Sequence, residues 1–127
     1  MATFSKIALS ASTNGMAIPI PTYAGAGNPA TLVHTAHATA LDEIWLWVVA
    51  YSNTTVTCGV QWGQNVATKE IVVPITYSVP TPLTWNQTQS GAYLIVPGLI
   101  LSGGLTVRLY CSVGTSLSCY GYVNRIT

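Results

Sequence analysis

The sequence predicts an all-β protein: a single antiparallel two-sheet β-sandwich, jelly-roll or immunoglobulin-like in topology, with seven or eight strands. Three observations predict it. Val, Ile, Thr, Tyr and Trp dominate, and no segment sustains the i, i+3, i+4, i+7 apolar spacing of a capped helix. Several runs alternate apolar and polar residues, as half-buried antiparallel strands do. Turn-forming clusters (SNTT, GQNVAT, SGG, GTS) separate these short runs. The 127 residues suffice for one domain, 1–127, that buries its core without metal or disulfide staples.

Taken in order, the Ser/Thr/Ala-rich stretch 1–15 is expected to be an extended N-terminal arm. Strands are then expected at Met16–Ile20, Ala30–Thr39, Asp42–Ser52, Thr55–Gly63, Lys69–Tyr77, Ala92–Val96, Leu105–Val113 and Leu117–Ile126. Within the third of these, EIWLWVVAY puts Ile44, Leu46, Val48 and Ala50 on one face and Trp45, Trp47, Val49 and Tyr51 on the other. The first set is an ordinary core. The second needs a cover, either a loop of the same chain or a neighbouring subunit. In the fourth strand Val56, Cys58, Val60 and Trp62 share a face; in the seventh, Val107, Leu109, Cys111 and Val113 do. The segment 78–91, SVPTPLTWNQTQSG, is expected to be a long surface loop carrying Trp85, and PTYAGAGNP (21–29) a second, Gly/Pro-rich one.

A symmetric hairpin about Thr115 would pair the last two strands. That register sets Cys111 opposite Cys119, within reach of a cross-strand disulfide, and stacks Tyr110 on Tyr120 and Arg108 on Tyr122 along the outer face. The first reading of the cysteines is nevertheless that they are buried thiols behaving as small hydrophobes, since three are too few for a disulfide framework; the Cys111–Cys119 bond is the sharper possibility beside it.

Composition excludes several function classes. Charged residues are 6% of the chain against roughly 25% in an average soluble domain. The four basic residues are scattered, so no electrostatic footprint for nucleic acid or anionic lipid exists. No apolar run reaches the roughly 18–20 residues of a membrane-crossing helix. The N-terminal residues lack a continuous apolar signal-peptide core, so assembly in the cytoplasm of a cell is expected.

Catalytic chemistry finds little support. His34 and His37 are three apart, so on a regular strand they diverge and cannot chelate one ion. Asp42 and Glu43 also diverge, and their expected role is to mark the solvent-exposed start of a strand. No GxSxG elbow, phosphate-binding glycine loop or CxxC pair is present. The chain is expected not to be an enzyme and to need no cofactor or metal. NTT (53–55) and NQT (86–88) match the glycosylation pattern by coincidence of composition. What remains is surface: four tryptophans and seven tyrosines among seven charges, of which Trp45, Trp47, Tyr51, Trp85, Tyr110, Tyr120 and Tyr122 are the candidate interface residues.

KIALSASTNGMAIPI, LVHTAHATALDEIWLW, LIVPGLILSGGLTVRLY and the terminal GYVNRI together resemble small virion proteins of tailed bacteriophages, in particular capsid decoration (cement) proteins. The resemblance spans most of the chain and departs from the family at Trp45, Trp47 and the proline-rich 78–91. It implies an oligomerising β-sandwich, trimeric in preference, on the outer surface of the capsid, whose partners are the major capsid protein and further copies of itself. On that reading the segment Ala2 to Asn14 is an arm lying on a neighbour. Two other classes compete. One is a carbohydrate-binding sandwich using Trp85, Tyr23 or Tyr77 as stacking platforms with Asn86 and Gln87; the other is a tail, baseplate or fibre module.

Overall fold

The computed structural model describes residues 2–20, 30–50, 56–63, 70–77, 92–111 and 117–127, with the backbone alone at 50, 56–58, 70–77 and 92–93. Nine strand segments are present among the described residues: β1 (Phe4–Ala8), β2 (Ile18–Ile20), β3 (Thr31–Thr35), β4 (Leu41–Ala50), β5 (Val56–Gly63), β6 (Glu70–Tyr77), β7 (Ala92–Leu101), β8 (Thr106–Cys111) and β9 (Leu117–Ile126). The first sheet runs β1-β9-β4-β7 with β2 also on β9, and the second runs β3-β8-β5-β6. β1 pairs with the stretch of β9 from Tyr122 to Ile126 and β2 with Leu117 to Cys119. Because β4 occupies the other edge of β9 along its whole length, β1 and β2 share one edge position. The described strands therefore occupy eight positions, four in each sheet.

The pairings are nested. β1 and β2 pair with β9, β3 with β8, β4 with β7, and β5 with β6, all antiparallel. This describes one long two-stranded ribbon, closed at its β5–β6 end. Coiling it brings β4 against β9 and β5 against β8. A two-sheet structure wound in this way is a jelly roll, not an immunoglobulin-like sandwich.

The core lies between the sheets and follows from the period-two alternation. Ile18, Ile20, Ile44, Leu46, Val48, Val96, Leu117, Cys119 and Val123 from the first sheet meet Val33, Val60, Val107, Leu109 and Cys111 from the second. Ile44, Leu46 and Val48 are at most 1% exposed, as their common face requires. At about 25 cal/mol per Å² of apolar area, each such side chain contributes roughly 1.5–3 kcal/mol by burial. A bulge in β3 between Leu32 and His34 turns both Val33 and His34 inward. The prolines fall where a missing N–H is tolerated: Pro19 and Pro97 lie on the two edge positions of the first sheet.

Five expectations are corrected. The stretch 1–15 is not simply an arm: Phe4–Ala8 is an edge strand, with Ile7 packed against the core. The expected pairing of the last two strands is absent, since β8 and β9 belong to different sheets; Thr115 itself lies outside the described residues. Cys111 and Cys119 are accordingly not cross-strand partners; both are buried, and Cys111 Sγ is a thiol donating to the Ile20 carbonyl at 3.2 Å. The Tyr110–Tyr120 and Arg108–Tyr122 ladder fails for the same reason. Finally, β7 continues past Val96 to Leu101, carried through Gly98 by a bulge.

Candidate functional site

The registers of the first sheet fix what its outer face carries. Residues paired across antiparallel strands share a face, so successive rows read Phe4, Ile126 and Leu41; Lys6, Asn124 and Glu43; Ala8, Tyr122 and Trp45; then Tyr120 with Trp47, and Pro19, Ser118 and Val49. Pro97 and Leu94 of β7 extend the rows of Trp45 and Trp47. Lys6 and Glu43 are the only charges in these rows. Phe4, Leu41, Leu94 and Tyr120 are 70%, 43%, 43% and 37% exposed, so the surface is apolar and open at several points.

Its centre is an aromatic cluster. Trp45 lies near-parallel to Trp47 and to Tyr122, with ring centroids 6.4 and 6.3 Å apart, and Trp47 to Tyr120 at 6.2 Å. Lys6 Nζ sits 4.6 Å from the Tyr122 ring centroid, a cation–π contact made by β1 where Arg108 had been expected. Each aromatic pair of this kind adds about 0.5–1.5 kcal/mol beyond area burial. Two glycines seat the cluster. Gly98, at φ 73°, is the bulge residue of β7, and a Cβ there would come within 2.7 Å of the Trp45 ring. Gly121 lets β9 approach the Trp45 carbonyl so closely that any Cβ would strike it.

A second constellation closes one end of the core. Asp42, at 0% exposure, receives Arg125 in a bidentate pair, Nε donating to Oδ1 at 2.7 Å and Nη2 to Oδ2 at 2.9 Å. The His37 amide adds a bond to Oδ2 at 3.1 Å. His34, also fully buried, lies with Nε2 2.9 Å from Oδ2, while its Nδ1 accepts from the Ser10 amide at 3.1 Å. That acceptance puts the ring hydrogen on Nε2, which donates to Asp42. Burial pushes the Asp42 carboxyl up, but the bonds from Arg125, His34 and the His37 amide outweigh it and bring it down from 3.8 to about 2. The Asp42 bond in turn raises Arg125 above its ordinary value.

This cluster is a latch between elements. It ties β4 and β9 of the first sheet to β3 of the second and to the turn after β1, where Ser10 Oγ also accepts from the Thr35 amide at 2.7 Å. Both His34 ring nitrogens are engaged inside the protein. His37 is exposed and does different work: its Nδ1 accepts from the Thr39 and Ala40 amides and shapes the turn into β4.

Of the expected interface residues, the structure gathers Trp45, Trp47, Tyr120 and Tyr122 on one face. Tyr110 is on the opposite side of the molecule, its ring lying over Gly59 on the outer face of the second sheet. Tyr51 and Trp85 lie outside the described residues, as do Tyr23, Asn86 and Gln87 of the carbohydrate reading. The latch was missed: Asp42 was expected at the solvent edge. Its parity with Ile44, Leu46 and Val48 was the signal, as was the parity of Arg125 with Val123. Comparison with protein-family models, with curated proteins and with solved structures gives no match.

Proposed function

We propose that the chain is a structural virion protein, a decoration or cement protein that binds the outside of an assembled phage head and stabilises contacts between major capsid subunits. The observation that carries this reading is the outer face of the first sheet, with its four-ring aromatic cluster, exposed Phe4, Leu41 and Leu94, and only two charges in its paired rows. A surface of this composition belongs to a protein that works in contact with others. The jelly roll is compatible with the reading, as the architecture occurs in viral capsid domains, although it also serves lectins and cupins. The buried latch supports a mechanical role too, since it couples both sheets and the N-terminal segment into one unit.

Physically, a protein that binds only the expanded shell shifts the equilibrium toward that shell by mass action. At a free concentration 100 times the dissociation constant this supplies about 2.7 kcal/mol per site. The test is co-sedimentation with expanded and with compact heads. The chain should pellet with expanded heads and raise the temperature at which they lose DNA; pelleting with neither form would remove this function.

A further inference from the structure

We infer that the outer face of the first sheet receives a second copy of this chain, packed face to face across a two-fold axis running along β9. The inference rests on reading that face as an assembly surface and names its occupant as a second copy, in a two-fold contact where the resemblance implies a trimer, so that contact with a capsid falls to the rest of the pair's surface. Strands in a sheet are spaced about 4.8 Å apart, so the β1/β2 edge and β4 flank β9 at equal distances. A two-fold axis along β9 therefore lays each residue of that edge on the β4 residue of the other copy in the same row. Such packing keeps the strands aligned, as sheets in sandwiches do, and is self-complementary as two-fold contacts must be.

The rows match under this operation. Lys6 meets the partner's Glu43, and symmetry makes the pair twice. Phe4 meets the partner's Leu41, and Pro19 meets the partner's Val49, apolar on apolar. Bulk also finds space. Ala8 lies under the partner's Trp45, and the partner's Trp47 faces the break in the edge, where β1 stops opposite Tyr122 and β2 starts opposite Cys119. Tyr120 and Tyr122 meet their own symmetry mates at the axis.

Neighbouring axes do worse. Midway between β9 and β4, the axis sets Lys6 on the partner's Ile100 and Glu43 on the partner's Asn124, leaving both charges without a counter-charge. Along β4, it sets Glu43 against its own mate, a like-charge contact that complementary interfaces avoid. The operator along β9 is the one of the three that pairs cation with anion.

Charge reversal tests it on the full-length chain. Lys6→Glu alone sets two anions together at both contacts, and Glu43→Lys alone sets two cations together. Each variant should raise the dissociation constant of the pair by about tenfold or more in low salt. Mixing the two variants one to one makes both contacts attractive again, one with its native sign and one reversed, so the mixture should regain the wild-type mass by sedimentation equilibrium. Far-UV circular dichroism checks that each variant is folded. Single variants that keep the wild-type mass, or a mixture that stays as dissociated as its components, overturn the inference. Co-sedimentation with heads bears on the virion function separately: a dimer that ignores heads removes that function alone, and a monomer that binds them removes this contact alone.

Discussion

Asp42 shows how one residue's surroundings decide its role. An acidic side chain at the head of a strand reads as a solvent marker, yet its place in the alternation turns it inward, where Arg125, His34 and the His37 amide complete its bonding. Its carboxyl is held near 2 when folded and titrates near 3.8 when unfolded. Since the folded value is the lower, its contribution to stability is complete above about 3.8 and is lost as pH falls through about 2. With allowance for solvent screening through the partly exposed Arg125, that contribution is about 1–2 kcal/mol. Urea unfolding midpoints of wild type should decline across this window. Asp42→Asn should flatten that part of the decline while lowering stability at pH 7 by about 2–4 kcal/mol, because Arg125 loses its counter-charge. At Gly98, Ala should cost about 1–3 kcal/mol, since the positive φ and the Trp45 ring both oppose a Cβ. Tryptophan emission of Gly98→Ala should shift as the indole is displaced.

At the scale of elements, alternation told which face each side chain takes but not which strand lies alongside. Val107, Leu109 and Cys111 point into the core, and so do Cys119 and Val123. Two such strands satisfy that pattern equally well as hairpin neighbours in one sheet or as opposed strands in two. The short turn GTS favoured the hairpin, whereas the nested winding of the ribbon puts β8 and β9 in different sheets. The β1 segment was illegible for another reason. Only Ile7 of FSKIA faces the core, too little apolar signal to distinguish a strand from an arm. Its place on the edge rests on main-chain pairing with β9, on Lys6 over Tyr122 and on Ser10 at the latch. Deleting residues 2–8 should therefore leave a folded chain that unfolds earlier by about 1–3 kcal/mol and exchanges the β9 amides from Tyr122 to Ile126 faster. Unchanged protection of those amides by hydrogen exchange would contradict the role given to β1.

For the whole molecule, the nested pairings join the first strand to the last and leave β5–β6 as the pair nearest in sequence among those of the ribbon. Loop closure must precede most of the reward, so refolding belongs to the slow range of milliseconds to seconds typical of all-β sandwiches. Stopped-flow refolding on the microsecond scale would be inconsistent with this winding. The larger claim is that an almost uncharged chain presents one sheet face as an assembly surface. Alternation along EIWLWVVAY separates a core set from a surplus set, and the structure places Trp45 and Trp47 of that surplus beside Tyr120 and Tyr122. The most direct measurement is sedimentation equilibrium of the wild-type chain and Trp47→Ala at tens of micromolar, with circular dichroism to verify folding. The wild type should exceed the 13.4 kDa protomer mass, and folded Trp47→Ala should fall back toward it. A wild-type chain that stays at 13.4 kDa would contradict the account.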